Sequence, residues 1–387
     1  MRGGEWSVRG LAGRVVLGVA CVVAVWQAYL AARHAVVVGA NDFQWSGSRL
    51  LLRGVDAYQR VLAGDVSGIR MTQIPNYSPA LYVLLLPLGV LPLTVAQTLW
   101  TFLNLAMLTA AAVLVGRAAG LRSYGVLTLV VALFLSWPFS IAVQAGQQTA
   151  LALLGAVLAC RLRSRAGAGL GLGVMLTKYS FAPVALVPLL ARRWGVLAVA
   201  AALQAAGLLV FCLMTGSAVG TTLLEPLRTA RTLQNKGAAD AMTFGRLIGL
   251  PEVGVFLLAA VLLVALCWVA RRVLCGPVWL DALSVGSLLS LMTFPHLIYD
   301  LCFMLPVLGS AVSRRGWSRG FLGCTVLMLW FGWALDPTYA RLSSGPGIVE
   351  TWLLLLAALL TIARVPASPP PGTHRADVGP VAADLVG

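Results

Sequence analysis

The run VAQTLWTFLNLAMLTAAAVLVGR, residues 95–117, is apolar over most of its length and ends in an arginine. A helix that crosses a bilayer needs about 20 such residues, because the hydrocarbon core is about 30 Å thick. Similar runs recur along the chain, and short groups of arginines separate many of them. The sequence therefore predicts an all-α polytopic membrane protein.

The composition agrees with this class. Of the 387 residues, 59% are hydrophobic and only 11% are charged, whereas a soluble domain has roughly 25% charged residues. The net charge of +15 comes from short basic clusters between apolar runs. A nucleic-acid-binding protein concentrates such charge in one patch, so we expect no nucleic-acid partner. The seven cysteines show no metal-ligand or disulfide spacing, and we expect them to be small core residues.

The basic clusters predict the orientation of the chain. Arg2, Arg9 and Arg14 surround the start of the first apolar run, residues 11–32. Positive residues favour the cytoplasmic side, and the run lacks the small-residue cleavage site of a secretory signal. We interpret it as a retained signal anchor with a cytoplasmic N-terminus.

The preference of basic residues for the cytoplasmic side also determines how we interpret the apolar residues 77–93. If the run at residues 95–115 crosses inwards, Arg117 and every later basic cluster fall in the cytoplasm. This agreement requires residues 77–93, which prolines interrupt, to return to the side from which they came. We therefore predict a re-entrant or juxtamembrane helix there.

The resulting organisation has about twelve transmembrane helices, with amphipathic helices in the first outer loop. Its segments are the cytoplasmic N-terminus and first transmembrane helix (1–33), an outer loop with juxtamembrane helices (34–93), transmembrane helices (94–215), a second outer loop (216–252), further transmembrane helices (253–365) and a disordered cytoplasmic tail (366–387).

Polar residues gather near the predicted outer ends of these helices. They are Asp42, Gln147, Gln148, Lys178, His296, Tyr299 and Asp300. In TFPHLIYDLCFMLP, residues 293–306, the four-residue spacing of His296 and Asp300 places both on one face of a helix. Ionisable groups at membrane depth are costly and usually face a wet cavity or a partner. We therefore predict a polar pocket that opens outwards.

Several of these residues also have a structural interpretation. Asp42 could be a solvated carboxylate or a helix N-cap. Lys178 could extend from a helix end to lipid headgroups, and Gln147 could cap a turn. His296 and Asp300 could be a hydrogen-bonded pair that stabilises one helical turn.

Other polar residues have a simpler expected role. Tyr77 and Tyr82 are typical of an aromatic belt at the membrane interface. Ordinary interface positions are expected for Asp281, Asp336 and Glu350.

Five motifs in order resemble a known family. They are DFQWSGSRLLLRGVDAY (42–58), NYSPALYVLLLPLGVLP (76–92), AGQQTALALL (145–154), AGLGLGVMLTKYSFAPVALVPLLARRW (168–194) and FPHLIYDL (294–301). Their order and spacing resemble glycosyltransferase family 87, integral membrane enzymes of the GT-C class.

The resemblance implies an inverting transferase that takes a sugar, with mannose as the best guess, from a polyprenyl-phosphate donor. The acceptor would be a lipid-linked molecule or a glycan at the outer face of the cell membrane. Both termini would be cytoplasmic, membrane lipids would be partners, and no metal or cofactor is implied.

The resemblance also implies roles for individual residues. Asp42 would be the catalytic base, and Lys178 and His296 would bind the donor phosphate, with Arg49 and Arg53 as more exposed alternatives. Asp300 would orient His296 or bind sugar hydroxyls. The sugar or acceptor would contact Gln147, Tyr299, Asp300 and Tyr77.

Two other classes share some of these features. A secondary transporter or lipid flippase also needs broken helices and buried polar groups, but it predicts two homologous halves and charges deep inside spans. A structural membrane protein gives no reason for a rim of Asp, Lys and His on one side. The sequence favours the glycosyltransferase.

Overall fold

The computed structural model describes residues 8–71, 73–232, 240–335 and 345–364. Within these ranges the chain forms helices and connecting turns, with no strand, which confirms the all-α prediction. The predicted disordered tail, Arg2 and Asp336 lie outside the described residues.

The α-helices are α1 (Val8–His34), α2 (Trp45–Leu51), α3 (Ala57–Leu62), α4 (Pro79–Leu84), α5 (Leu86–Val90), α6 (Leu93–Ala118), α7 (Ser123–Leu135), α8 (Trp137–Gln144), α9 (Thr149–Arg161), α10 (Arg165–Met175), α11 (Leu186–Leu190), α12 (Trp194–Thr215), α13 (Val219–Thr222), α14 (Glu225–Thr232), α15 (Ala241–Leu247), α16 (Glu252–Leu274), α17 (Trp279–Thr293), α18 (Leu305–Val312), α19 (Trp317–Leu335) and α20 (Gly345–Arg364). A π-helical turn (Ala35–Gly39) continues α1, and 3-10 helices (Tyr179–Ala185 and Ile298–Met304) precede α11 and α18.

Four stretches in the described chain are long and apolar enough to cross a membrane: Ala12–Gly39, Leu93–Ala118, Trp194–Thr215 and Glu252–Leu274. The pair α7 and α8 would add a fifth if it is one span, although it bends by 64° at Ser136. Several apolar helices are shorter than a full span. The predicted number of about twelve is therefore not confirmed.

Prolines set several helix boundaries in the first half of the chain. Residues 77–93, predicted as one short helix, contain α4 and α5 with Pro79 and Pro87 in their first turns. Proline is favoured there because the first turn needs no intrahelical N–H partner. Pro138 likewise lies in the first turn of α8. Short helices at these positions shape the loops that surround the polar residues.

Small residues bring α9, α10 and α12 close together. A Cβ atom on Gly155 would lie 2.6 Å from the carbonyl oxygen of Gly171, and one on Gly173 would lie 2.6 Å from Leu203. Such close approach is typical of packed helices in membranes, where dispersion replaces the hydrophobic effect between helices. It aligns α9 with α10, so that Thr149 and Lys178 lie near each other.

Helix α17 lies at the centre of the bundle. Residues 280–293 are all buried, and the helix packs against α16, α18, α20 and the 3-10 helix Tyr179–Ala185. A largely apolar helix is expected to be buried in this way, and the hydroxyls of Ser284 and Ser290 donate to the helix's own carbonyls. Its C-terminal end leads directly to His296.

Asp281 does not occupy an ordinary interface position, so that expectation is wrong. Its carboxylate is buried and accepts hydrogen bonds from both terminal nitrogens of Arg314, at 3.1 and 2.9 Å. The Ser310 hydroxyl also donates to it, at 2.5 Å. A bidentate arginine–carboxylate pair explains why two charges are tolerated here. Glu350 is exposed.

The cysteines differ in burial, and Cys21 and Cys267 are half-buried. All seven carry free thiols, and Cys160, Cys212 and Cys302 are buried, as expected for small core residues. Cys275 and Cys324 are exposed, so the core prediction is wrong for them. Cysteine is tolerated on an outer helix surface because it behaves as a small apolar residue.

Candidate active site

Asp42 lies in the turn between the π-helical end of α1 and α2. Its backbone N–H donates to the Ala145 carbonyl at 2.8 Å, which ties this turn to the one between α8 and α9. Gly146 has φ +66°, and a Cβ atom there would lie 2.7 Å from the Cβ of Ala40. Glycine is therefore required where these two turns meet.

Three side chains donate hydrogen bonds to the Asp42 carboxylate. Gln147 and Tyr299 donate to Oδ2, the latter at 3.4 Å, and Gln44 donates to Oδ1 at 3.3 Å. Tyr77 in turn donates to the Gln147 amide oxygen at 3.1 Å. Asp42 is half-buried, whereas Gln147 and Gln44 are fully buried. The carboxylate is thus held by buried side chains within a residue that is itself half-buried.

The surroundings of Asp42 make it a stronger base than an ordinary aspartate. Burial raises the pKa of Asp42 to about 6, and the nearby Lys178 ammonium opposes this in part. Desolvation acts in this direction because it disfavours the charged carboxylate. At pH 7 the group is mostly ionised and has an affinity for protons that suits a general base.

Lys178 and Asp300 form a second, adjoining polar group. The Lys178 ammonium lies 2.5 Å from Asp300 Oδ1 and 2.9 Å from the Thr149 hydroxyl, which also donates to Asp300 Oδ1. Lys178 and Asp300 are 8% and 2% exposed. Because Lys178 meets a buried carboxylate, the alternative in which it extends to lipid headgroups is wrong.

Tyr299 connects the two groups. Its hydroxyl reaches Asp42, while the Lys178 ammonium lies 4.7 Å from the centre of its ring. A cation over an aromatic face is stabilised by the electron density of the ring. The structure therefore brings together six of the predicted site residues: Asp42, Tyr77, Gln147, Lys178, Tyr299 and Asp300.

His296 is placed differently from the prediction. Residues 295–297 are not helical, and the following 3-10 helix starts at Ile298. Pro295 explains the break, since proline cannot donate a helical hydrogen bond. The expected pairing of His296 with Asp300 on one helical face is therefore wrong. The second oxygen of Asp300 instead accepts from the backbone N–H of Leu297 at 3.3 Å, so Asp300 does not orient the imidazole.

The imidazole of His296 keeps one nitrogen available. Nδ1 lies 3.3 Å from the Phe294 carbonyl, whereas the buried Nε2 has no hydrogen-bond partner in the part of the chain that the structure describes. Burial raises the pKa of Asp240, and the nearby His296 opposes this. Asp240 caps α15 through the backbone N–H of Thr243. No motif or spacing pointed to Asp240, which only the fold brings near His296.

Tyr77 and Tyr82 are not belt residues, and that interpretation is wrong. They are 4% and 0% exposed. The Tyr82 hydroxyl donates to the Gln44 amide oxygen at 3.0 Å, and Tyr58 donates to the Tyr77 carbonyl at 2.5 Å. Buried tyrosines of this kind hold their hydroxyls in fixed hydrogen bonds. Here they position the two glutamines that contact Asp42.

The arginine alternatives lie outside this network. Arg49 donates to the Gly89 carbonyl at 3.1 Å, and Arg53 is exposed. Sequence reasoning missed Gln44 and Thr149, although each lies within two residues of a predicted site residue. Gln148, which was predicted, is fully buried, and neither side-chain polar atom has a partner among the described residues.

Comparison with known proteins places the chain in a family. The family model for glycosyltransferase family 87 matches residues 76–295, more than half of the chain. The match includes Tyr77, Gln147 and Lys178 and ends next to His296. No curated protein and no solved structure matches this chain. Through its matched region and its apolar helices, the chain belongs to glycosyltransferase family 87 and is a membrane glycosyltransferase.

Proposed function

We propose that the enzyme transfers a sugar from a polyprenyl-phosphate donor to a hydroxyl group of a lipid-linked or glycan acceptor, with inversion at the anomeric carbon. The observation that supports this most is the half-buried Asp42 carboxylate, which three side chains hold beside the Lys178–Asp300 pair. Mannose is the first sugar to test.

Asp42 acts as the general base in this proposal. Its carboxylate accepts the proton of the acceptor hydroxyl while that oxygen forms a bond to the anomeric carbon. The bond between the anomeric carbon and the phosphate oxygen breaks, and its electron pair leaves with the polyprenyl phosphate. A base with a pKa of about 6 is well matched to proton transfer near neutral pH.

The leaving phosphate needs positive charge or N–H donors more than it needs a proton. His296 Nε2 is buried and has no partner among the described side chains, so it is the first candidate donor to a phosphate oxygen. Lys178 is the second, because an ammonium has three N–H groups and two of them are used by Thr149 and Asp300. Such fixed donors stabilise charge that develops during the reaction.

The remaining side chains would recognise hydroxyl groups. Gln147, Tyr299 and Tyr77 form one continuous hydrogen-bonded set with Asp42, and a sugar or acceptor hydroxyl could join it. Asp300 would accept from sugar hydroxyls through the oxygen that Leu297 now binds. The scheme uses no metal and no cofactor.

The proposed topology follows the basic clusters. Both termini lie in the cytoplasm, and the site faces the outer side of the cell membrane, where the lipid-carried donor reaches it from the bilayer. This arrangement needs about twelve crossings, so the shorter apolar helices must contribute to them in addition to the long ones.

The test is transfer by the purified protein with a panel of labelled polyprenyl-phosphate sugars. We expect product from one donor, and Asp42→Asn should lower the rate by about 10²- to 10⁴-fold, the usual contribution of a general base. Asp65→Asn is the matched control, because Asp65 lies in the same loop region on an exposed salt bridge with Arg60. Near-normal turnover by Asp42→Asn would remove Asp42 from this role.

A further inference from the structure

A second polar feature lies at the other end of the bundle from Asp42. Helices α9 and α17 have Thr149 and Thr293 at the end near Lys178 and His296, and Arg161 and Trp279 at the other. Each helix rises about 1.5 Å per residue, so α9 alone separates the two ends by roughly 18 Å. Any ligand at the far end is therefore distinct from the reacting groups at Asp42.

A cavity of about 540 Å³ opens at this far end. It lies between the C-terminal ends of α9, α11 and α16 and the N-terminal end of α17. Cavities of a few hundred Å³ are large enough to hold a small ligand or a lipid headgroup. The size and the position between helices therefore permit a specific ligand.

The lining of the cavity is amphipathic. Its charged residues are Arg161, Arg163 and Arg193, and none of the described residues that line it is acidic. Accessible apolar surface is supplied by residues such as Pro277 and Trp279. The nearby Asp281 is held by Arg314, so its charge is already matched elsewhere.

Arg193 is fixed in position by the fold. Its two terminal nitrogens donate to the carbonyls of Ala159, in the last turn of α9, and Leu162, just after it, at 3.2 and 2.9 Å. A guanidinium has five N–H groups, so it can hold the helix end and still donate to a ligand. Arg161 and Arg163 are exposed at the rim. One arginine that the fold holds in place and two exposed arginines thus surround one opening.

We propose that this cavity binds the phosphate group of an anionic phospholipid, with the glycerol and upper acyl chains against the wall that contains Pro277 and Trp279. Arginine binds phosphate oxygens through paired N–H groups, and basic pockets between membrane helices are suited to anionic headgroups. An inorganic phosphate ion would use the arginines but not the apolar wall. On the proposed topology, this lipid belongs to the cytoplasmic leaflet.

The experiment measures lipid retention by the full-length protein in a zwitterionic detergent. Labelled phosphatidylglycerol is added, and the lipid bound per protein is measured for the wild type and for the double variant Arg161→Gln, Arg163→Gln. We expect binding to weaken by at least about tenfold, since each arginine near a lipid surface contributes on the order of a factor of five. The assay does not depend on sugar transfer.

The matched control removes the same charge at the same end of the bundle. Arg117 and Arg122 flank the end of α6 near α17 and are exposed, but they do not line the cavity. Arg117→Gln, Arg122→Gln should change binding by less than about twofold. Equal losses in both double variants would show a diffuse charge effect and overturn the proposal.

Two further measurements distinguish a lipid site from a site for inorganic phosphate or for charge alone. Ala191→Trp fills the rim of the cavity without changing its charge, since Ala191 is an exposed lining residue. This variant should also weaken lipid binding. It keeps the test valid if the arginine variant does not fold. Inorganic phosphate in millimolar excess should not displace the lipid. Full displacement, or unchanged binding by Ala191→Trp, would refute a lipid site.

Discussion

The chemistry of Asp42 depends on segments far away in the chain as well as on its neighbour Gln44. Its hydrogen-bond donors Gln147 and Tyr299 are 105 and 257 residues away. Local sequence identified the carboxylate as unusual, because an ionisable group beside an apolar run is costly. It did not show that burial raises the pKa of this group to about 6, since that shift depends on how the distant segments enclose it.

The first prediction concerns pH. A general base works only when it is unprotonated, and burial raises the pKa of Asp42 to about 6, so kcat/KM should fall as the pH decreases through about 6. Tyr299→Phe removes a hydrogen bond that lowers the pKa of Asp42, so its profile should shift to higher pH. Rate profiles of wild type, Tyr299→Phe and Asp65→Asn test this. An unshifted profile for Tyr299→Phe would argue against Asp42 as the titrating group.

The second prediction concerns the donor phosphate. His296→Ala should raise the KM for the polyprenyl-phosphate donor by about 10- to 100-fold, the effect of losing one hydrogen bond to a charged group. The KM for the acceptor should change little. His34→Ala is the control, because His34 is exposed at the end of α1. A similar rise in both KM values would point to a structural role for His296.

At the scale of elements, the prolines show where helices are interrupted. The proline-rich stretch at 77–93 was recognised as different from a plain span, and it forms two short helices. The helical spacing of His296 and Asp300 misled us, since Pro295 ends the helical geometry between α17 and the following 3-10 helix. Spacing rules apply only where the backbone is already helical.

The third prediction tests the contact between α9 and α10. Gly155→Ala places a Cβ atom 2.6 Å from the Gly171 carbonyl oxygen, so we expect a loss of about 1–3 kcal/mol in the free energy of unfolding. Gly18→Ala is the same substitution in a helix with nothing within 4 Å of the new atom, and it should be neutral or slightly stabilising. Thermal unfolding in detergent compares them. Equal effects would mean that the close approach does not matter for stability.

The fourth prediction compares buried and exposed ion pairs. Asp281→Asn leaves Arg314 without its buried carboxylate and should cost about 3–5 kcal/mol of unfolding free energy. Asp65→Asn breaks a pair whose side chains are 30% and 47% exposed and should leave the free energy of unfolding nearly unchanged, because water and salt screen exposed charges. Denaturation of both variants under one condition measures the two free energies of unfolding and tests the prediction. A small loss for Asp281→Asn would show that the buried pair relaxes.

For the whole molecule, the important feature is the separation of its two polar ends. The carboxylate site lies at one end of α9 and α17, and the arginine-lined cavity lies at the other. Membrane proteins place basic clusters towards the cytoplasm. On the proposed topology, the carboxylate site and the arginine-lined cavity must therefore be reached from opposite sides of the membrane.

The fifth prediction tests this orientation. In intact cells, a membrane-impermeant maleimide should label Ser67→Cys in a Cys275→Ser, Cys324→Ser background, because Ser67 is exposed in the loop of residues 63–71 near the Asp42 end. The exposed thiol of Cys275, at the arginine end, should react in the Cys324→Ser variant only after the membrane is permeabilised. The reverse pattern would invert the topology and place the site in the cytoplasm.

The sequence by itself determined the class and the family, because both depend on local properties. Apolar runs of span length, basic clusters between them and ordered motifs are all visible in the linear chain. It also predicted that Asp42, Gln147, Lys178 and Asp300 line a polar pocket, since polar residues beside apolar runs are rare.

Only the tertiary structure decided which of these residues pair. Lys178 binds Asp300 across 122 residues, and Asp281 binds Arg314. His296 shares no hydrogen bond with Asp300 in the described chain. These pairings depend on how closely the glycines let helices approach and on where the prolines interrupt them. No local sequence pattern shows the resulting packing. The depth at which a charge is buried, and therefore its chemistry, follows from the assembled bundle.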